Sequence, residues 1–147
     1  MYNHKINTSD ITDYGLEPLV FNIYKAAMQN CNYRTALWTG DYLQLTLMSI
    51  EVGEDIGLEM HPDLDQVIRI EEGYGFVKMG SDKEKLNYQR EVDGNFAIII
   101  PAGTWHNLIN TGSRPLKLYS IYAPPAHLYG TVHETKEIAE ADEIHHY

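Results

Sequence analysis

The chain of 147 residues carries a single cysteine, Cys31. One thiol cannot close an intramolecular disulfide and cannot build a cysteine zinc cage. Positive charge is also scarce: 11 Lys and Arg stand against 21 Asp and Glu, a formal net charge of −10. Nucleic acids and anionic membranes both need a cationic face, so neither is an expected partner. Long apolar runs are missing too. The longest, Phe96 to Pro101, suits one strand and falls short of the ~18 residues a membrane helix needs. The first 20 residues hold no apolar h-region, so the expectation is a chain without a secretory leader, in a reducing cytoplasmic setting. The hydrophobic fraction of 44% is enough for one core. At roughly 100–200 residues per domain the length fits one domain, 1–147.

What is present reads as β almost throughout. After a polar arm over residues 1–18, Asn22 is placed to cap a short helix over Ile23 to Asn30. The arm reads as free chain or as a strand lent to a neighbour. Strand candidates follow at Arg34 to Thr39, Tyr42 to Val52, Leu58 to His61, Gln66 to Glu71 and Tyr74 to Met79. The series continues with Leu86 to Val92, Phe96 to Ile100, Trp105 to Asn110 and Leu116 to Ala123, and Pro124–Pro125 ends it. Thr135 to Ile144 is a late helical stretch, acidic and weakly amphipathic. Short strands with turn residues every 8–12 positions describe a β-sandwich or a barrel, and periodicity alone does not choose between them.

Two spaced motifs do choose. The first is Gly53, five residues, Glu59-Met60-His61, four residues, Gln66, six residues, Gly73. The second is Gly94, six residues, Pro101-Ala102-Gly103, two residues, His106, three residues, Asn110. Together they resemble the paired motifs of the cupin superfamily, over roughly residues 42–124. In that family the first motif usually reads G, H-x-H, E, G, and the second reads G, P-x-G, H, N. The resemblance implies an all-β, single cupin domain, a double-stranded β-helix or jelly-roll barrel, with short N-terminal and C-terminal helices. The barrel core spans about 42–124, flanked by an arm at 1–41 and a segment at 125–147. The glycines Gly73, Gly94 and Gly103 are then turn residues that tolerate positive φ, and Asn110 makes a local hydrogen bond.

The resemblance implies a divalent metal ion, with Zn, Mn, Fe and Ni all eligible, held at the positions of Glu59, His61, Gln66 and His106. Two of the four depart from the usual pattern. Glu59 stands where the first His is usual, and Gln66 stands where Glu is usual. Residues i and i+2 of a strand share a face, so Glu59 and His61 point the same way. Two imidazoles and a carboxylate are the facial set of open non-heme iron sites, and they suit other divalent ions as well. Gln66 is a neutral oxygen donor, either a fourth ligand or a hydrogen-bonder to a metal-bound water. The ligand charge stays at −1, that of three His and one Glu. Each of these residues also has a plainer reading: His61 as a strand-end histidine stiffened by Pro62, Glu59 as a solvent-facing carboxylate.

Other chemistry-bearing residues read as structural. His127 and His133 lie beyond the strands and suit solvent or capping positions, with folding back over a barrel mouth as the alternative for both. His145 and His146 are chain-end residues. Tyr119 and Tyr122 have opposite parity, so one of them lines the interior. Arg69 has the opposite parity to Gln66 and faces out, and Arg34 reaches a barrel mouth only if its segment docks. Cys31 reads as a small buried hydrophobe.

The resemblance to cupins, including small ones labelled mannose-6-phosphate isomerase-like, implies a small-molecule ligand or substrate. The expected activity is metal-assisted isomerisation of a sugar or keto acid, with Glu59 as a proton-moving carboxylate. The alternatives are an Fe(II)-dependent dioxygenase and a non-enzymatic binding module. A homodimer is expected by resemblance, since open β-edges need covering.

Overall fold

Nine strands and two short helices make up the chain in a computed structural model that describes residues 13–145. The order is α1 (Ile23–Gln29), β1 (Arg34–Thr39), β2 (Gln44–Ile50), β3 (Asp65–Glu72), β4 (Gly75–Gly80) and β5 (Tyr88–Val92). Then come β6 (Ala97–Ile100), β7 (Trp105–Asn110), β8 (Leu116–Ala123), β9 (Val132–His133) and α2 (Lys136–His145). Two antiparallel sheets face each other, six strands in the order β6-β3-β8-β2-β1-β9 and three in the order β5-β4-β7. The all-β jelly-roll architecture with two short helices is the expected one. The strands divide between two facing sheets.

The register arranges the inner face of the large sheet as a grid, because directly paired residues project to the same side. One row runs Gln44, Tyr122, Gln66, Ile100. The next runs Ala36, Thr46, Ser120, Ile68, Ile98. A third runs His133, Arg34, Met48, Leu118, Ile70. Polar side chains gather in the first two rows and at the β1–β9 end of the third. Met48, Ile50, Ile68, Ile70, Leu116 and Leu118 pack with Val77, Met79 and Leu108 of the small sheet to form the main core. Each such side chain stabilises the fold by about 1.5–3 kcal/mol when fully buried.

The outer face of the large sheet is apolar as well, which is why β2 is buried along its whole length. Leu37, Leu45 and Leu47 lie against Ala26 and Ala27 of α1. A helix of seven residues does not persist alone. This contact and the Asn22 cap, whose Oδ1 accepts from Lys25 N–H at 2.9 Å, hold it in place.

Several expectations need correction. Residues 1–12 lie outside the described residues, but the rest of the arm packs on its own chain. Asp13 is buried, and its carboxylate accepts from Thr39 N–H at 2.8 Å, Thr39 Oγ1 and Gly130 N–H at 3.1 Å. Cys31 is exposed, because it falls in the turn between α1 and β1, outside both cores. Residues 58–61 form no regular strand. They meet β7 through one isolated bridge, Glu59 to His106, after Gly57 at φ +87°. The turn at 93–96 places Asn95, not Gly94, at positive φ. Gly94 meets a different constraint: a Cβ there would sit 3.2 Å from the Glu71 carbonyl oxygen, a tight contact. Asn110 does bond locally, to Gly112 N–H at 2.8 Å and the Arg114 carbonyl at 3.0 Å, and it also reaches the Ile50 carbonyl at 2.9 Å.

Candidate metal centre

The Pro101–Thr104 turn explains why the second motif places His106 where it does. Thr104 N–H bonds back to the Pro101 carbonyl, and Gly103 sits at φ +82°, the third position of a type II turn. Gly103 N–H then donates to the His61 carbonyl at 2.8 Å. That bond ties the turn before β7 to the His61 position of the first motif. Two residues on, Glu59 and His106 exchange both backbone hydrogen bonds, at 3.0 and 2.9 Å, so their side chains stand side by side. His61, two residues from Glu59, joins them on the same face.

One ligand atom from each of Glu59, His61 and His106 lies within 4.8 Å of the other two. Glu59 Oε1 is 3.3 Å from His106 Nε2 and 3.5 Å from His61 Nε2. Those separations are long for N–H···O hydrogen bonds, and both nitrogens are buried with no hydrogen-bond partner. They match the distance between two ligands on one ion, about 3.0–3.5 Å for metal–ligand bonds near 2.1 Å. His106 Nδ1 faces the Thr104 carbonyl at 3.0 Å. A carbonyl only accepts, so Nδ1 carries a hydrogen, and Nε2, which faces Glu59, holds either a second proton or a lone pair for a cation. A carboxylate oxygen facing imidazole lone pairs needs a proton or a cation between them. The donor set therefore fits a divalent ion.

Burial pushes the Glu59 carboxyl up, but the neighbouring His106 and His61 outweigh it and hold it well below the usual carboxylate range. It is ionised at neutral pH. The Glu59 and His61 side chains stay 24% exposed while His106 is sealed at 1%, so the cluster opens to solvent on the Glu59–His61 side.

Gln66 lies buried on the inner face of β3. Its Nε2 donates to Ser120 Oγ at 2.8 Å, and its Oε1 is buried without a partner, free to serve as a neutral donor. Tyr122, one register position over, stands edge-on to His61 at 5.9 Å between ring centroids. Burial raises its phenol, so the proton stays on. Of the tyrosine pair, Tyr122 is the one that lines the interior, and Tyr119 is on the outer face. Arg69 faces out toward Asn95, as expected from its parity.

Three residues read as peripheral are not. His127 packs edge-on to Tyr122 at 5.2 Å, with Nε2 buried and unpartnered. Burial and then the Arg34 charge lower its imidazole to about 3. Gln44 fixes it from behind: Oε1 accepts from Ala126 and His127 N–H, and Nε2 donates to the His127 carbonyl at 3.0 Å. His133 is buried on β9 and accepts from Arg34. Arg34 itself, only 3% exposed, is on the inner face of β1. The signal for Arg34 was its shared parity with Ala36. The partner that brings His133 to it lies 99 residues away, beyond any local pattern.

The all-β fold, with His, His and Glu donors gathered at one place, is that of a β-sandwich protein with a candidate metal site. Residues 46–122 match the family described as "Cupin domain", and the chain belongs to it. Among curated relatives it is 62% identical over 133 residues to the uncharacterized protein YrkC of Bacillus subtilis, covering 90% of this chain and 72% of that one. It is 41% identical over 114 residues to the uncharacterized protein L612 of Acanthamoeba polyphaga mimivirus, covering 77% and 69%. Among solved structures, BH2720 from Bacillus halodurans superposes with a TM-score of 0.88 at 63% identity, covering 89% of this chain and 99% of that one.

Proposed function

We propose that this cupin binds one divalent metal through Glu59, His61 and His106, with Gln66 as a fourth, neutral donor, and acts on a small polar molecule. The observation that carries the reading is the pair of buried, unpartnered Nε2 atoms facing one carboxylate oxygen. A divalent ion held there would supply Lewis acidity toward a carbonyl or enolate oxygen. The chain supplies the rest. Thr104 orients His106, Ser120 turns the Gln66 amide so that its oxygen is the free end, and Tyr122 and His127 wall the interior with apolar ring edges. Glu59 is committed between two imidazoles and is a weak base at neutral pH, so Tyr122 is the better proton holder. Metal-assisted isomerisation of a sugar or keto acid fits such a set.

We further propose that residues 1–147 act as one domain, as a cytoplasmic homodimer. Sedimentation showing only a 16.8 kDa species would end the dimer reading.

Elemental mass spectrometry of tag-free protein beside His106→Ala tests the centre. Near-stoichiometric metal that disappears in the variant is the expected result. A folded wild type that holds no metal and takes up none of Zn, Mn, Fe or Ni would overturn it. Oxygen uptake with Fe(II) would instead mark a dioxygenase, and ligand binding without turnover would mark a binding module.

A further inference from the structure

Arg34 is a buried cation without an anion. No carboxylate among the described residues lies within ion-pair distance of its guanidinium. Among the described residues its hydrogen bond runs from Nη1 to His133 Nδ1 at 3.2 Å, and its Nε–H is buried with no partner. Arginine only donates, so His133 Nδ1 is the acceptor, and His133 Nε2–H passes to the Asp142 carboxylate at 2.8 Å. This relay from α2 through β9 anchors one edge of the guanidinium. The Tyr33 ring, 5.2 Å from the guanidinium carbon, covers another side. What is left is the Nε edge.

A buried charge without a counter-ion is costly, and a chain with no use for it is better served by an apolar side chain. Gln66 Oε1 and His127 Nε2 are also buried and unpartnered. Tyr122 stands edge-on to both His127 and His61, which joins this interior to the Glu59–His61–His106 cluster.

We propose that Arg34 is the counter-ion for a small organic monocarboxylate, of keto-acid size, bound inside the sandwich beside the metal-ligand cluster. This names the substrate class of the proposed centre and so rests on that reading for its catalytic meaning. The anion site itself needs only Arg34. A carboxylate fits better than a phosphate. One monovalent cation balances one negative charge, whereas a phosphate dianion asks for more than one. A neutral sugar would leave the cation unbalanced.

The test uses the full chain, metal-loaded and after chelation, with isothermal titration calorimetry of pyruvate, its neutral isostere pyruvamide, glucose and inorganic phosphate. Pyruvate should bind at least about tenfold tighter than pyruvamide or glucose, with and without metal, and that preference should vanish in Arg34→Gln. Arg34→Met should fold at least as well as the wild type, because it removes an unbalanced charge. The wild-type comparison of acid with amide stands even if neither variant folds. Equal binding of pyruvate and pyruvamide, no binding of either, or a preference for phosphate would each overturn the proposal. Absence of metal from the wild type would overturn the metal centre alone, since the pyruvate preference is also read on chelated protein.

Discussion

At the scale of single residues, two side chains carry measurable consequences outside the metal cluster. His127 is held neutral, its imidazole lowered to about 3 against 6.5 in a free side chain. The unfolded chain therefore takes up a proton that the folded chain refuses as pH falls from about 6.5 toward 3. Stability is complete above that window and is lost on acidification. Between about pH 7 and pH 5 the loss from this residue is about 2 kcal/mol. Urea denaturation at both pH values should show that difference in the wild type and a smaller one in His127→Gln. Asn110 is the second case. It is buried, and its amide serves two carbonyls and one N–H from three places in the chain. Asn110→Ala leaves all three unpaired and should lower stability by about 2–4 kcal/mol in the same assay, without changing metal content.

At the scale of elements, the segment from Pro124 to Gly130 has no regular structure and is held from the sheet. Gln44 makes four hydrogen bonds, three of them to the backbone of Ala126 and His127. Gln44→Leu should free that segment. Amide exchange at Ala126 and His127 is expected to rise by about tenfold or more, while exchange in β3 and β8 stays at its wild-type level. Unchanged exchange at 126 and 127 would show that Pro124–Pro125 alone sets the path.

The same scale shows what was legible in the sequence. α1, β1 and β7 fall within a residue of their expected bounds, because cap, parity and turn signals agree there. The His106 position was legible because a type II turn demands Gly103 and fixes the offset. Glu59 and His61 share a face as the i, i+2 rule requires, although the strand expected there reduces to one isolated bridge. Arg34, His127 and His133 were not legible as interior residues. Each acquires its place from a partner more than 80 positions away in sequence: Arg34 from His133, His127 from Gln44. Cys31 was misread because small size predicts burial only inside an element, and it falls just outside one.

At the scale of the whole molecule, α2 is more than an appendage. Ala139 joins the main core, Lys136 pairs with Asp55 beside β7, and Asp142 reaches Arg34 through His133. Bound metal should therefore stabilise the entire fold. With free metal at about 100 times its dissociation constant the gain is about 2.7 kcal/mol. For a chain of this size that is a rise in melting temperature of roughly 5–10 °C, reversed by a chelator and missing in His106→Ala. A scan with no chelator effect would mean that the ion, if bound, is held no better in the folded chain than in the unfolded one.

The grid on the inner face of the large sheet separates two kinds of heritable change. Gln44, Thr46, Gln66, Ser120 and Tyr122 occupy two adjoining rows, and the aliphatic mass of Ile50, Ile70, Leu116 and Leu118 lies in the rows beyond. A replacement among the first group rewrites what the interior recognises and leaves the aliphatic packing intact. Lineages descended from such a chain can drift in ligand chemistry without passing through an unfolded ancestor, and glutamine at position 66 is the kind of step that freedom allows.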